Sequence, residues 1–286
     1  MILRAPPWRF GAFVQMRNLV RSRVKEHFRY AVVLVVLLAP VFSARSAGQA
    51  AFQAHGGGVQ PPARETPMPF RAGETLDYTV SWAAFSTAAS VQLSVPEQRN
   101  LFGWQAWHFR AVVHTLSHVR TLFEVDDQFD SYTDAGTLES RQFELHLNEM
   151  GGSSDQVLHL GQSSGRSRQP GPIVLVLPGT RDPLGALYSL RGVNWQTVPE
   201  FRATVYDGSD VYEMRAQRDA ADESVRVPAG SFSASRVSIR VFQFEKEVSL
   251  MHFVVWLAND AAHTPVVMQA TLPLGNLRAE LLAPAK

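Results

Sequence analysis

The sequence predicts an all-β, mainly antiparallel protein: an open or closed β-barrel of ten or more strands with one short helix on its concave side. Three observations carry that expectation. From Phe70 onward, apolar and polar residues alternate through most of the chain, which is the two-residue period of a half-buried strand. One apolar face per strand suits antiparallel pairing, because parallel strands are covered on both sides and read as unbroken apolar runs. Helical spacing stands out in one stretch, "DPLGALYSLR" from Asp182 to Arg191, and one helix among so many strands plugs or fills a curved sheet rather than forming a layer.

The elements follow in chain order. Tyr30 to Ala44 is an uncharged apolar run of about fifteen residues, preceded by Arg21, Arg23, Lys25 and Arg29. A positive n-region, an apolar core of about 7–15 residues and small residues beyond it define a secretory signal peptide. Ala44 and Ser46 offer small residues at the positions a signal peptidase reads, so residues 1–46 are assigned to the signal, with cleavage after Ser46. The n-region is long when counted from Met1, and Met16 offers a start of more usual length. An uncleaved anchor is the competing reading, although the run is short against the roughly 20 residues of a bilayer span. The expected location is the periplasm, with membrane contact only through this segment. Residues 47–69 hold Gly57, Gly58, Pro61, Pro62, Pro67 and Pro69, which break any regular period, and read as a flexible linker.

Residues 70–283 then form one domain. Leu76, Tyr78, Val80 and Trp82 share one face of a strand, as do Ala89, Val91, Leu93 and Val95. Trp107, Phe109, Ala111 and Val113 repeat the pattern, followed by Phe143, Leu145 and Leu147. In the helix, Asp182 is placed to N-cap, Pro183 fits the first helical position, and Leu184, Leu187, Leu190 and Arg191 recur at helical spacing. Phe201, Ala203 and Val205 run into Asp207-Gly208, a hairpin-turn pair, and Tyr212, Met214 and Ala216 lead out. Val237, Ile239 and Val241, then "HFVVWLA", then Val266 to Leu272 and Leu277 to Leu281 complete the set. Gly73 and Gly230 stand where a turn or bulge wants positive φ.

Composition excludes several classes of function. The formal net charge of +1 hides an uneven spread, since seven Lys or Arg and one acidic residue lie between Arg4 and Arg29. The rest is mildly acidic and offers no dense basic face for nucleic acid. The absence of cysteine removes disulfides, thiolate chemistry and a lipid-anchoring cysteine.

Chemical motifs are weak. "GQSSG" matches G-x-S-x-G around Ser163, but "RSRQPGP" follows where a nucleophile elbow needs a helix. His114 and His118 lie four apart on an apparent strand and would need a third metal ligand, such as His146 or His159. "EVDDQFD", Glu124 to Asp130, lacks the ligand order of a calcium loop and reads as a solvated strand face or turn. No enzyme activity, cofactor or metal is therefore expected.

Apolar and aromatic residues are the more informative set. Trp82, Trp107, Phe109 and Trp256 lie on strands, and Leu184, Leu187 and Tyr188 on the helix. These seven are expected to line a cavity for a lipid or other apolar ligand, since a curved sheet of ten or more strands encloses more space than its side chains fill. Arg191 would sit near the mouth, where a guanidinium suits a carboxylate or phosphate head group. Paired with Glu74 or Asp182, it would instead be structural. The rival to a cavity is a filled core in an envelope scaffold that uses one sheet edge or face for a protein partner.

Three stretches also carry a resemblance. "FRAGETLDYTVSW" from Phe70 has the pattern F-x-x-G-E-x-L-x-Y, "RDPLGALYSLR" ends in Tyr-x-x-Arg, and "VPAGSFSASRVSI" precedes "VVWLANDAAHTPVVM". Together they resemble the bacterial domain of unknown function 3108 family over Phe70 to Leu282. The resemblance implies an exported bacterial protein and no established activity. More distantly, the closing strand–Asp–turn–Pro–strand pattern is similar to LolA-like periplasmic lipoprotein carriers, open barrels that hold acyl chains.

Overall fold

A computed structural model describes residues 68–149, 151–161, 173–248, 252–272 and 275–283. The signal segment, the alternative start at Met16, the linker up to residue 67 and Ser163 lie outside the described residues.

One sheet of fourteen strands dominates the described residues. In chain order these are β1 (Glu74–Trp82), β2 (Phe85–Leu101), β3 (Trp104–Thr115), β4 (Asp126–Asp134), β5 (Ser140–Glu149), β6 (Gly152–Gly161) and β7 (Ile173–Leu175). After them come β8 (Glu200–Tyr206), β9 (Val211–Val227), β10 (Gly230–Gln243), β11 (Lys246–Glu247), β12 (His252–Ala258), β13 (Pro265–Leu272) and β14 (Gly275–Leu281). Two helices interrupt them, α1 (Ser117–Arg120) and α2 (Pro183–Arg191). The sheet runs β7-β6-β5-β4-β3-β2-β1-β14-β13-β12-β10-β9-β8, with β11 paired to β10. Neighbours are antiparallel except β6 and β7.

Local sequence explains the connections. β1 alternates buried and half-buried residues along its whole length, so its register cannot slip by one without turning Leu76, Tyr78 and Val80 to solvent. Phe102 and Gly103, at φ 51° and 91°, join β2 to β3 in a two-residue turn, a backbone that matches the twist of the flanking strands. Pro96 falls at the bulge where β2 shifts register between Ser94 and Glu97, a position that needs no ladder N–H.

The ladder is open, because β7 and β8 are its two ends. The segment before α2 stitches the β8 end to β5, two strands in from the other end, at one point. Thr180 accepts from the Ser140 N–H at the start of β5 (3.1 Å), while Arg181 exchanges backbone bonds with Thr204 and Tyr206 of β8 (2.9 and 2.8 Å). An open barrel with one helix inside is thus the observed form of the expected fold.

Two local expectations are corrected. His118 is in α1 rather than on a strand shared with His114. The acidic stretch runs into β4 from Asp126, but Asp127 and Asp130 are buried rather than solvated.

Candidate functional site

Helix α2 is set by its ends. The Asp182 carboxylate caps it by accepting from the Gly185 N–H (2.8 Å) and from the hydroxyls of Ser131 and Ser140 (2.5 Å each). Burial pushes the Asp182 carboxyl up, against the pull of those donors. Gly185 is required by space, since a Cβ there would meet Thr133 Cγ2 at 2.9 Å and Ser140 Oγ at 3.0 Å. All nine helix residues are buried, the signature of a core helix rather than a half-wet lining.

Six of the eight residues expected at the site gather around this helix. Leu184, Leu187 and Tyr188 are buried on α2, and Phe109 is buried beside them. Tyr188 lies flat on Phe109, centroids 3.8 Å apart and planes 5° apart. Phe70 closes over both edge-on and also meets Trp107 at 5.2 Å. Edge-to-face and stacked pairs of this kind add about 0.5–1.5 kcal/mol each beyond their buried area.

Arg191 is turned inward and is 1% exposed. It grips Glu74 through two bonds, 2.5 and 3.0 Å, and donates to the carbonyls of Ala262 and Pro69. Its guanidinium lies 5.5 and 5.2 Å from the Phe70 and Tyr188 ring centroids. Burial opposes its charge, but the Glu74 carboxylate outweighs that and holds its pKa above the ordinary value. The His263 imidazole donates to the Arg191 carbonyl (2.6 Å), tying the C-terminus of α2 to the β12–β13 loop. Of the two partners the sequence offers Arg191, Glu74 is the one taken, and the guanidinium is committed to the fold rather than offered at a mouth.

The two other tryptophans lie elsewhere. Trp82 is on the inner face with Phe85 and Phe123, eight residues from Glu74 and therefore about 26 Å away along β1. Trp256 is corrected outright, since it pairs across strands with Arg236 and Val267 on the convex face. There it lies under the guanidiniums of Arg236 and Arg278 and donates to Glu223 (2.7 Å).

Sequence reasoning missed a polar layer on the convex face of β3 to β6. Because Phe129 and Ser131 point inward to α2, Asp130 and Tyr132 point out, opposite Arg110, His108, Glu144 and Gln142 in register. Asp130 Oδ1 accepts from His108 Nε2 (2.5 Å) and Arg110 Nε (2.7 Å), and Oδ2 from Gln128 (2.6 Å). Burial pushes the Asp130 carboxyl up, but these donors win and hold it below its ordinary value. His146 donates to Asp155 through Nδ1 (2.7 Å), which holds its pKa above the usual imidazole value. Tyr132 stacks on His108 at 4.5 Å and shares a small apolar cluster with Leu101, Ala106 and Phe102. The only sequence signal was Glu144-x-His146 on one strand face, because cross-strand register is not written in either strand alone. His114 and His118 do not join this layer. His114 pairs with Asp126 (2.9 Å), and His118 donates to the Thr87 carbonyl (2.6 Å).

The chain matches the family model described as "Protein of unknown function (DUF3108)" over residues 77–282. No curated protein matches it. Among solved structures it is similar to a β-barrel-like protein of domain family DUF1849 from Brucella abortus, at 13% identity, TM-score 0.48, covering 73% of this chain and 95% of that one. It is also similar to a candidate lipoprotein from Parabacteroides distasonis, at 13% identity and TM-score 0.38, covering 78% and 100%. A third is a candidate exported protein with a YmcC-like fold from Bacteroides fragilis, at 12% identity and TM-score 0.31, covering 77% and 98%. The family match runs from within β1 to just past β14 and takes in both helices, and the chain belongs to the DUF3108 family.

Proposed function

We propose that the protein is an exported, non-enzymatic envelope protein that works through its outer surface, with a barrel interior filled by its own side chains. The observation that carries this reading is the stack of Tyr188 on Phe109 under Phe70. A lipid carrier needs room between its helix and its sheet, and here the rings meet at van der Waals contact. Arg191 supports the same reading, because its guanidinium is spent on Glu74 and backbone carbonyls. Export rests on the basic residues and apolar run that end at Ala44. The partner in this reading is another envelope protein meeting a sheet edge or the convex face.

Native mass spectrometry of protein purified from a bacterial periplasm, followed by solvent extraction, tests the proposal. A mass equal to the bare chain, unchanged when phospholipids are offered, supports it. A stoichiometric lipid that is lost on Leu187→Glu would overturn it in favour of a lipid-binding barrel. Phe70→Ala uncovers the stack without introducing a charge. Lipid uptake by wild type that Phe70→Ala enhances would also overturn the proposal.

A further inference from the structure

We propose that Asp130, Glu144 and His146 bind a divalent transition-metal ion on the convex face of the sheet, zinc being the reference ion. One ligand atom from each lies within 4.8 Å of the other two. Glu144 Oε2 and His146 Nε2 are already 3.4 Å apart. Zinc bonds of about 2.0–2.1 Å in tetrahedral geometry put ligand atoms about 3.3 Å apart, so the site closes by side-chain adjustments of about 1 Å.

Each of the three side chains is held from behind. His108 and Arg110 hold Asp130 Oδ1, and the Gln142 amide holds Glu144 Oε1. Asp155 accepts from His146 Nδ1 and leaves Nε2 as the lone-pair nitrogen. A carboxylate behind a ligating imidazole, with hydrogen bonds to the remote oxygens of ligating carboxylates, is the outer shell that fixes and tunes metal sites. Gln128 occupies part of Asp130 Oδ2 (2.6 Å), and a carboxylate oxygen keeps a second lone pair for an ion.

Two further observations ask for a cation. Asp130 and Glu144 are directly opposite in register on β4 and β5, where like charges repel, and Arg110 and His108 offset the charge on the Asp130 Oδ1 side. The Gln142 Oε1 atom is buried without a hydrogen-bond partner, on a side chain that is 8% exposed and bonded to Glu144. A buried acceptor left without a partner among the described residues is costly unless water or a cation answers it. The imidazole selects the ion class, since calcium and magnesium prefer all-oxygen sites whereas zinc and its neighbours accept nitrogen with carboxylates. The fourth position falls to water or to a partner's side chain.

Isothermal titration of zinc into chelator-treated protein tests this, with the cobalt absorption spectrum as a second readout. One zinc per chain and tetrahedral cobalt bands are expected. His146→Gln should weaken binding by about 100-fold or more, and Asp155→Asn by about 10–100-fold. His146 is partly exposed and Asp155 exposed, so the variants should keep the wild-type near-ultraviolet dichroism, whereas a merely structural pair would leave zinc affinity unmoved. A His114→Ala/His118→Ala double variant should bind as wild type does. Absence of zinc uptake, equal affinity after His146→Gln, or loss of binding in the His114/His118 variant would each overturn the assignment.

Discussion

Replacing Asp207 by Asn should remove a pH dependence that the fold places in the turn between β8 and β9. Asp207 Oδ1 accepts from the N–H groups of Ser209 and Asp210 (2.7 Å each), while Oδ2 is buried with no hydrogen-bond partner. The same turn presses on the far end of the sheet, for a Cβ on Gly208 would meet Leu158 of β6 at 3.2 Å. Burial pushes the Asp207 carboxyl from its ordinary 3.8 to about 6, over the opposing pull of the two N–H bonds. A folded pKa above the unfolded one means the folded state prefers the proton. The stability this contributes is fully present below about pH 3.8 and is lost as pH rises through about 6. At 1.36 kcal/mol per pH unit, that interval is worth about 3 kcal/mol. Asn keeps the accepting oxygen and cannot ionise. Urea unfolding followed by tryptophan fluorescence, repeated from about pH 4 to pH 8, should show the variant gaining on wild type by about 3 kcal/mol up to neutrality and then levelling. A difference between the two proteins that is constant with pH would refute the reasoning, because a carboxyl wetted at Oδ2 carries no such load.

Other substitutions test the seat of α2. Arg191→Met leaves Glu74 buried without its cation and should cost about 3–5 kcal/mol, and adding Glu74→Met should restore much of it; a double-mutant cycle in urea measures both. Gly185→Ala should destabilise by about 1–3 kcal/mol despite alanine's better helix propensity, because its Cβ enters Thr133 and Ser140; a raised melting temperature would contradict that. Asp182→Ala removes the cap and takes the shared acceptor from the Ser131 and Ser140 hydroxyls, and should cost at least about 2 kcal/mol by the same unfolding assay.

Much of the architecture was legible because one physical rule wrote it. Where a strand buries one face and leaves the other partly open, the period of two is visible, as in β1 and the first half of β2. The helix was legible for the complementary reason: Asp182, Pro183 and the leucines agree at every level from cap to packing. β4 escaped because both of its faces are occupied. Phe129 and Ser131 meet α2, while Asp130 and Tyr132 are covered by the β2–β3 hairpin and its neighbours. A strand buried on both sides by polar as well as apolar groups has no alternation to read. Trp256 shows the reverse error. Tryptophan suggests an interior, but parity along β12 sets Val255 and Leu257 inward and Trp256 outward, where arginine stems and ring faces shelter each other.

Helix α2 is what lets so long a sheet stay open. Fourteen strands closed edge to edge would enclose far more volume than their side chains fill. Left flat, they would expose the unpaired edges of β7 and β8, which invite aggregation. A helix about 10 Å across with its side chains takes up that volume, and Thr180 and Arg181, just before its cap, stitch β5 to β8. Asp182 therefore serves the helix cap, the β4 and β5 serines and the stitch in one place. Arg191 anchors the other end to β1 through Glu74 and to the β12–β13 loop through Ala262. With both ends fixed in this way, pulling α2 out to admit a ligand would expose a buried ion pair and a buried carboxylate at once. That cost favours a function carried by the outer face, where Glu144 and His146, partly exposed beside the buried His108–Asp130 pair, lie within reach of solvent and of a partner.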